Sequence, residues 1–186
     1  MNNLLIVLSG PSGVGKGTIV NQLLSDGGFA LSVSCTTRAP RAEEVDGKSY
    51  FFITKEEFER KIADGGFLEY SNHFENYYGT PKDFVLKQLE NRDVILEIEV
   101  DGALQVKKAL PQALLIMILP PSEEELKARL LKRGSENDET IAKRISRMQY
   151  EISKKDDYDF TVVNDDLEKA VADIKNIIAN KKGDIK

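Results

Sequence analysis

Residues 8–18 read LSGPSGVGKGT, and the spacing of their glycines around one lysine is what a phosphate-binding loop requires. Gly10, Gly13, Gly15 and Gly17 allow backbone N–H groups to close on phosphate oxygens. Lys16 adds a cation, Pro11, Ser12 and Val14 complete the loop, and Thr18 follows it. The loop leaves the apolar run Leu4 to Leu8 and enters a segment with Ile19, Val20, Leu23 and Leu24 at helical spacing. A phosphate held there also faces the positive end of a helix. Gly17 stands where many such loops carry a serine or threonine that holds magnesium. Magnesium accepts mostly phosphate and water ligands, so Mg2+ is assigned no protein ligand, and Thr18 keeps a hydroxyl one residue later.

A second set of anion-binding types lies in SCTTRAPRAEEVDGKSYFF. Arg38 and Arg41 flank Pro40, which stiffens the segment, and each guanidinium can give forked hydrogen bonds to a phosphate. Tyr50 and Tyr78 can add phenolic donors. In ILEIEV, Glu97 and Glu99 are two apart, which places both carboxylates on one face of a buried strand; that is costly unless they meet a cation or donors. A third cluster, Arg129, Lys132, Arg133, Lys143, Arg144 and Arg147, surrounds the polar loop RGSENDE. Two residues are set aside. His73, the single histidine, reads as surface or structural, and Cys35 has no histidine beside it in sequence to make it a nucleophile.

The elements that must position these groups follow from the apolar pattern. Leu4 to Leu8, Val94 to Val100, Ala113 to Leu119 and Phe160 to Val163 are apolar segments with few polar interruptions, separated by helical patterns. That alternation predicts an α/β fold with a central parallel sheet covered on both faces. Thr54 with Glu57, and Ser122 with Glu125, have capping-box spacing. Thr80 before Pro81 predicts a cap and a first-turn proline, opening a helix that turns Phe84 and Leu89 inward. Ile141, Ile145, Met148 and Ile152 form one helical stripe, and Leu167, Val171, Ile174 and Ile178 another. Residues 33–80 break the alternation with short strand-like pieces and read as a small mixed insertion. The 186 residues, 41% hydrophobic and 31% charged, suit a single domain. A net charge of −5 argues against duplex nucleic acid as a partner. One cysteine fits a reducing compartment, and no apolar run reaches membrane-spanning length. The expectation is a cytoplasmic protein with no nucleic-acid or membrane partner.

The Gly-Lys-Gly-Thr form of the loop resembles the nucleoside monophosphate kinases, and the whole chain resembles the guanylate kinase family. LSGPSGVGKGT, SVSCTTRAPRAEEVDGKSYFF, FLEYSNHFENYYGTP, ILEIEVDGALQVK, PPSEEELKARLLKRGSE and VVNDDL stand in the family's order. The resemblance implies a three-layer P-loop NTPase fold, with core 1–32, 81–121 and 151–186, a GMP-binding insertion 33–80 and a helical lid 122–150. It implies transfer of the γ-phosphoryl group of ATP to GMP, and to dGMP, with Mg2+. The loop from Gly10 to Thr18 would bind ATP. Arg38, Arg41, Tyr50 and Tyr78 match positions that grip the GMP phosphate, and Ser34, Glu69 and Thr80, beside Gly79, those that read guanine. Glu97 and Glu99 fall near the metal and the guanine site. Arg133 and Arg144 match lid arginines that touch ATP and the moving phosphate, with Arg129 and Arg147 as further candidates, and Asn164 matches a contact to adenine. Lys16, Arg38, Arg133 and Arg144 would carry catalysis. Asp101 stands where the family more usually has glutamine. A peptide-binding relative of this fold typically has a degraded loop, whereas Gly15, Lys16, Arg38 and Arg41 are intact here; Glu69 and Thr80 argue against another acceptor.

Overall fold

A strand covered on both faces is apolar at every position, and the runs Leu4 to Leu8 and Ala113 to Leu119 become such strands. The computed structural model describes residues 3–73, 75–126 and 138–184, the side chains of 138–141 aside. In it β1 (Leu5–Ser9), β2 (Phe29–Leu31), β7 (Asp93–Glu97), β8 (Leu114–Leu119) and β9 (Phe160–Val163) form one sheet in the order β2-β7-β1-β8-β9. Every pairing in it is parallel. Alternation along the strands divides the core. Ile6, Leu8, Ile95 and Ile116 pack under α1 (Lys16–Ser25) and the last helix, Leu167–Asp184, through Ile19, Leu23, Ile174 and Ile178. Val7, Leu96, Leu115 and Met117 pack on the other side with Val85 of α3 (Lys82–Leu89) and Val106 of α4 (Val100–Ala109). Each such fully buried side chain contributes about 1.5–3 kcal/mol. The result is the three-layer arrangement expected, with β1 central and the loop after Ser9 at the middle of one sheet edge.

A second sheet stands beside the first, built from β3 (Cys35–Thr36), β4 (Phe51–Phe52), β5 (Phe67–His73) and β6 (Asn76–Pro81) in the order β4-β3-β6-β5. β3 and β4 run parallel and the other pairs antiparallel. Its own helix, α2 (Lys55–Ala63), starts with the expected capping box between Thr54 and Glu57. Phe58 of α2 is fully buried, stacked on Phe67 at 4.3 Å and Tyr77 at 5.1 Å between ring centroids. This aromatic stack is the small core of the insertion.

Two expectations need correction. The run Val94 to Val100 is not all strand: β7 ends at Glu97, and Glu99 is already the N-cap of α4. The last sheet bond from this segment is Ile98 N–H to Leu8 O, 3.3 Å; beyond it β1 has turned into the phosphate loop, so there is no strand left to pair with. Glu97 and Glu99 therefore do not share a strand face. Thr80 does not cap α3. It is the fifth residue of β6, fully buried, and Pro81 takes the N-cap with φ −64° and ψ 124°. Leu89 is buried as expected, whereas Phe84 is only half-buried, edge-on to Phe51 at 5.3 Å.

Residues 123–126 are helical, with Ser122 Oγ accepting the Glu125 N–H at 3.1 Å. Leu126 packs with Met148, Ile145 and Ile152 of the helix Asp138–Ser153. Arg129, Lys132, Arg133 and the Ile141 side chain lie outside the described residues. No described helix is long and apolar enough to cross a membrane.

Candidate functional site

Gly10 and Gly15 show why the loop cannot carry larger residues there. Gly10 has φ +143°, and a Cβ on it would lie 2.2 Å from the carbonyl oxygen of Ile118. Gly15 caps α1 in the left-handed conformation, φ 97° and ψ 19°. That helix starts with no side-chain cap and no acidic residue in its first turn, so its first N–H groups face outward as an anion site. Lys16 Nζ donates to the carbonyls of Gly10 at 2.5 Å and Pro11 at 3.1 Å. Burial lowers its pKa, opposed by the fields of Glu151, Glu97 and Glu99. Asn164 supports the loop from the far side, donating to Val14 O at 2.8 Å. Thr18 is exposed on the first turn of α1.

A cavity of about 650 Å³ opens between the second sheet and the start of α4. Ser34, Tyr50, Glu69, Tyr78, Gly79, Glu97 and Glu99, all singled out from sequence, line it. Glu69 on β5 is 7% exposed, and its Oε1 accepts the Thr80 hydroxyl at 2.6 Å. The antiparallel register places these two residues directly opposite one another. Burial raises the Glu69 pKa, and the Thr80 hydrogen bonds oppose the rise. Glu97 links the cavity to the loop, because a Cβ on Gly17 would lie 3.5 Å from Glu97 Oε1. Its pKa is also raised by burial and pulled back by Lys16.

Arg38 reaches the cavity's edge through its tyrosines. Its guanidinium lies 5.7 Å from the Tyr50 ring centroid, and Tyr50 is edge-on to Tyr78 at 6.1 Å. Glu44 grips it with two bonds, 3.0 and 2.8 Å, and also accepts the Arg41 N–H at 2.8 Å. The Glu44 and Tyr78 hydrogen bonds raise the Arg38 pKa, while Glu44 itself is held below the usual carboxylate range by Arg38. Arg41 is exposed beside this pair and does not line the cavity, and Arg144 is exposed on its helix.

Glu44 and Gly102 carry no sequence signal of their own, and the cavity takes in His73, Asp101 and Arg147 as well. Glu44 looks like one acid among several until the turn brings it back onto Arg38. Gly102 lies in the first turn of α4, where a Cβ would sit 2.8 Å from Glu69 Oε2. His73 lines the cavity, with Nε2 3.2 Å from Glu99 Oε2. Asp101 and Arg147 line it as a pair 2.9 Å apart. Cys35, by contrast, is buried and its thiol is pushed up to about 11 by that burial, which leaves it an inert core residue.

Residues 2–181 match a family model described as guanylate kinase. The guanylate kinase of Mycoplasmoides gallisepticum is 54% identical over 178 residues, 94% of this chain and 91% of that protein. That of Caldanaerobacter subterraneus is 51% identical over 181 residues, 96% of this chain and 88% of the relative. The crystal structure of guanylate kinase from Anaplasma phagocytophilum matches with a TM-score of 0.75 at 33% identity, covering 97% of this chain and 86% of that one.

Proposed function

Since this chain belongs to the guanylate kinase family, and so transfers a phosphoryl group from ATP to GMP to give ADP and GDP, we propose how its residues divide that work. The glycine loop from Gly10 to Thr18 holds the ATP phosphates, with the Lys16 ammonium leaving the Gly10 and Pro11 carbonyls for phosphate oxygens. Arg38, Arg41, Tyr50 and Tyr78 hold the GMP phosphate. Glu69 accepts the N1–H and exocyclic amine of guanine, Ser34 and Thr80 serve its O6 edge, and Gly79 lies beside them in the cavity wall. Adenine lacks that pair of donors and leaves the buried carboxylate unmet, at roughly 1–3 kcal/mol per lost partner. dGMP presents the same base edge and is accepted too. Residues 33–80 act as the GMP-binding insertion against the core of 1–32, 81–121 and 151–186. Residues 122–150 act as the lid, carrying Arg133 and Arg144 to ATP and the moving phosphate.

The single observation that carries this reading is Glu97, which lines the acceptor cavity and also faces Gly17 at the phosphate loop, so that the two cradles share a border. Phosphoryl transfer needs two anions aligned and their charge neutralised, with little covalent help from the protein. The GMP phosphate is already anionic, so no general base is assigned. Mg2+ fits the same border. Mg2+ would be held chiefly by the phosphates and water, with Glu97 the carboxylate nearest that border. Bound there, it would supply charge neutralisation at the phosphates. Asn164 acts through the loop it braces, next to the adenine end. We read the setting as cytoplasmic, where a free buried thiol such as Cys35 stays reduced.

Coupling ADP formation to an optical signal, with GMP, dGMP, AMP, UMP and CMP offered as acceptors, tests the reading: turnover is expected with the two guanine nucleotides, and robust use of AMP without GMP would overturn it. Gly102→Ala separates site from scaffold. The added methyl pushes Glu69 off its position, at a cost of about 1 kcal/mol for an off-rotamer side chain, and raises the KM for GMP roughly fivefold. Alanine meanwhile improves the helix by up to about 1 kcal/mol, so the melting temperature is expected to hold or rise; an unchanged KM would remove the assigned role of the Glu69 orientation.

A further inference from the structure

Arg147 makes contacts that a lid arginine for ATP has no need of. On the helix Asp138–Ser153 its Nε donates to Glu151 Oε1 at 3.1 Å, and one terminal nitrogen reaches Asp101 Oδ2 at 2.9 Å and Glu99 Oε2 at 3.4 Å. Glu151 is only 4% exposed, and a carboxylate so placed requires a cation. It therefore fixes the inner edge of the guanidinium and leaves the outer edge facing the acceptor cavity, whose wall Arg147 forms. Tyr150, one turn along, donates to the other Asp101 oxygen at 2.6 Å and lies 5.1 Å from the guanidinium. Asp101 thus has both oxygens engaged by the same helix.

The charge balance explains why this matters. Glu69, Glu97, Glu99 and Asp101 all line the cavity, and on the reading above that cavity must admit an anion, GMP. Like charges close together in a partly dry site repel by several kcal/mol before screening. Besides Arg147, the basic side chain lining this wall among the described residues is His73, which faces Glu99.

We propose that Arg147 is an acceptor-side positioning residue: anchored by Glu151, it neutralises and orients Asp101 and Glu99, so that the cavity accepts GMP. It acts through those carboxylates, and its effect on the ATP side, through the Glu151 field at Lys16, is the smaller one. The proposal rests on the cavity being the GMP site, and the test separates the two ideas. Steady-state KM values for GMP and for ATP, with kcat, are measured for the unsubstituted protein, Arg147→Ala, Arg147→Lys, Asp101→Asn and the double variant Arg147→Ala/Asp101→Asn. Arg147→Ala is expected to raise the KM for GMP roughly tenfold, with a clearly smaller rise in the KM for ATP, and lysine to recover part of the loss through its charge. In the Arg147→Ala background, Asp101→Asn removes the carboxylate left unpaired and is expected to lower the KM for GMP again. A merely structural role predicts the opposite, two losses that add, and that result overturns the proposal. Equal rises in both KM values, or no change in either, also overturn it. Should the unsubstituted protein show no GMP-dependent turnover, the assignment of the cavity itself falls, and this inference with it. Melting temperatures and calorimetric GMP binding on the same variants distinguish unfolding from loss of affinity.

Discussion

Replacing Lys16 with alanine is expected to reduce kcat about 10³-fold, in the range found when a single preorganised charge-stabilising group is lost. The structure gives the reason. Lys16 is drawn into the loop by the Gly10 and Pro11 carbonyls, and burial works against its charge. The fields of Glu151, Glu97 and Glu99 offset that burial and keep the ammonium available. A bound triphosphate replaces the two carbonyls with anionic oxygens, where a compact cation in a partly desolvated loop is worth far more than in water. Gly10 and Pro11 are buried, so carbonyls that lose their donor cost roughly 1–3 kcal/mol each, and the melting temperature should fall by several degrees. GMP affinity, measured by calorimetry without ATP, should be nearly unchanged. Turnover close to normal in Lys16→Ala at saturating ATP would falsify the assigned role.

The second large effect is expected at Glu69. Glutamine at this position keeps the size and still accepts from Thr80, but presents an NH2 where guanine also presents donors. One hydrogen bond is lost and one donor–donor contact is made, at roughly 1–3 kcal/mol each, so kcat/KM for GMP should fall about 10²-fold or more. The KM for ATP should not move; an equal loss for both nucleotides would count against base reading. The pH dependence has a definite sign. Burial raises the pKa of Glu69 in the free protein, and guanine requires the ionised form. GMP affinity is therefore complete above that raised pKa and lost as pH falls through it, at a higher pH than an ordinary glutamate would show. Glu69→Gln should remove this component and leave only the titration of the GMP phosphate itself. An unaltered pH profile of GMP binding in that variant would remove Glu69 from the role.

Much of this was legible before any coordinates. β1 and β8 are readable because a parallel strand covered on both faces is apolar throughout, and the capping box at Thr54 and Glu57 because both partners lie within four residues. The glycine loop is local in the same sense: its conformational demands act on the residues that carry the motif. Where the reading slipped, the cause was a neighbour distant in sequence. Val94 to Val100 looks like one strand, yet β7 stops at Glu97 because β1 has already left the sheet. Thr80 has the local form of a helix cap, yet its hydroxyl is taken by Glu69 across the sheet.

The order of glycines, lysine, paired arginines and tyrosines along the chain determines which anions this protein can hold, because side-chain chemistry and short-range backbone freedom are properties of the residues themselves. Partners were decided only by the tertiary structure. Glu44 closes on Arg38 through a turn, Gly102 clears the space beside Glu69, and Arg147 meets Asp101 across 46 positions. Each of those depends on distances set by the packing of whole elements, and a carboxylate in a sequence gives no indication of which cation the fold will bring to it.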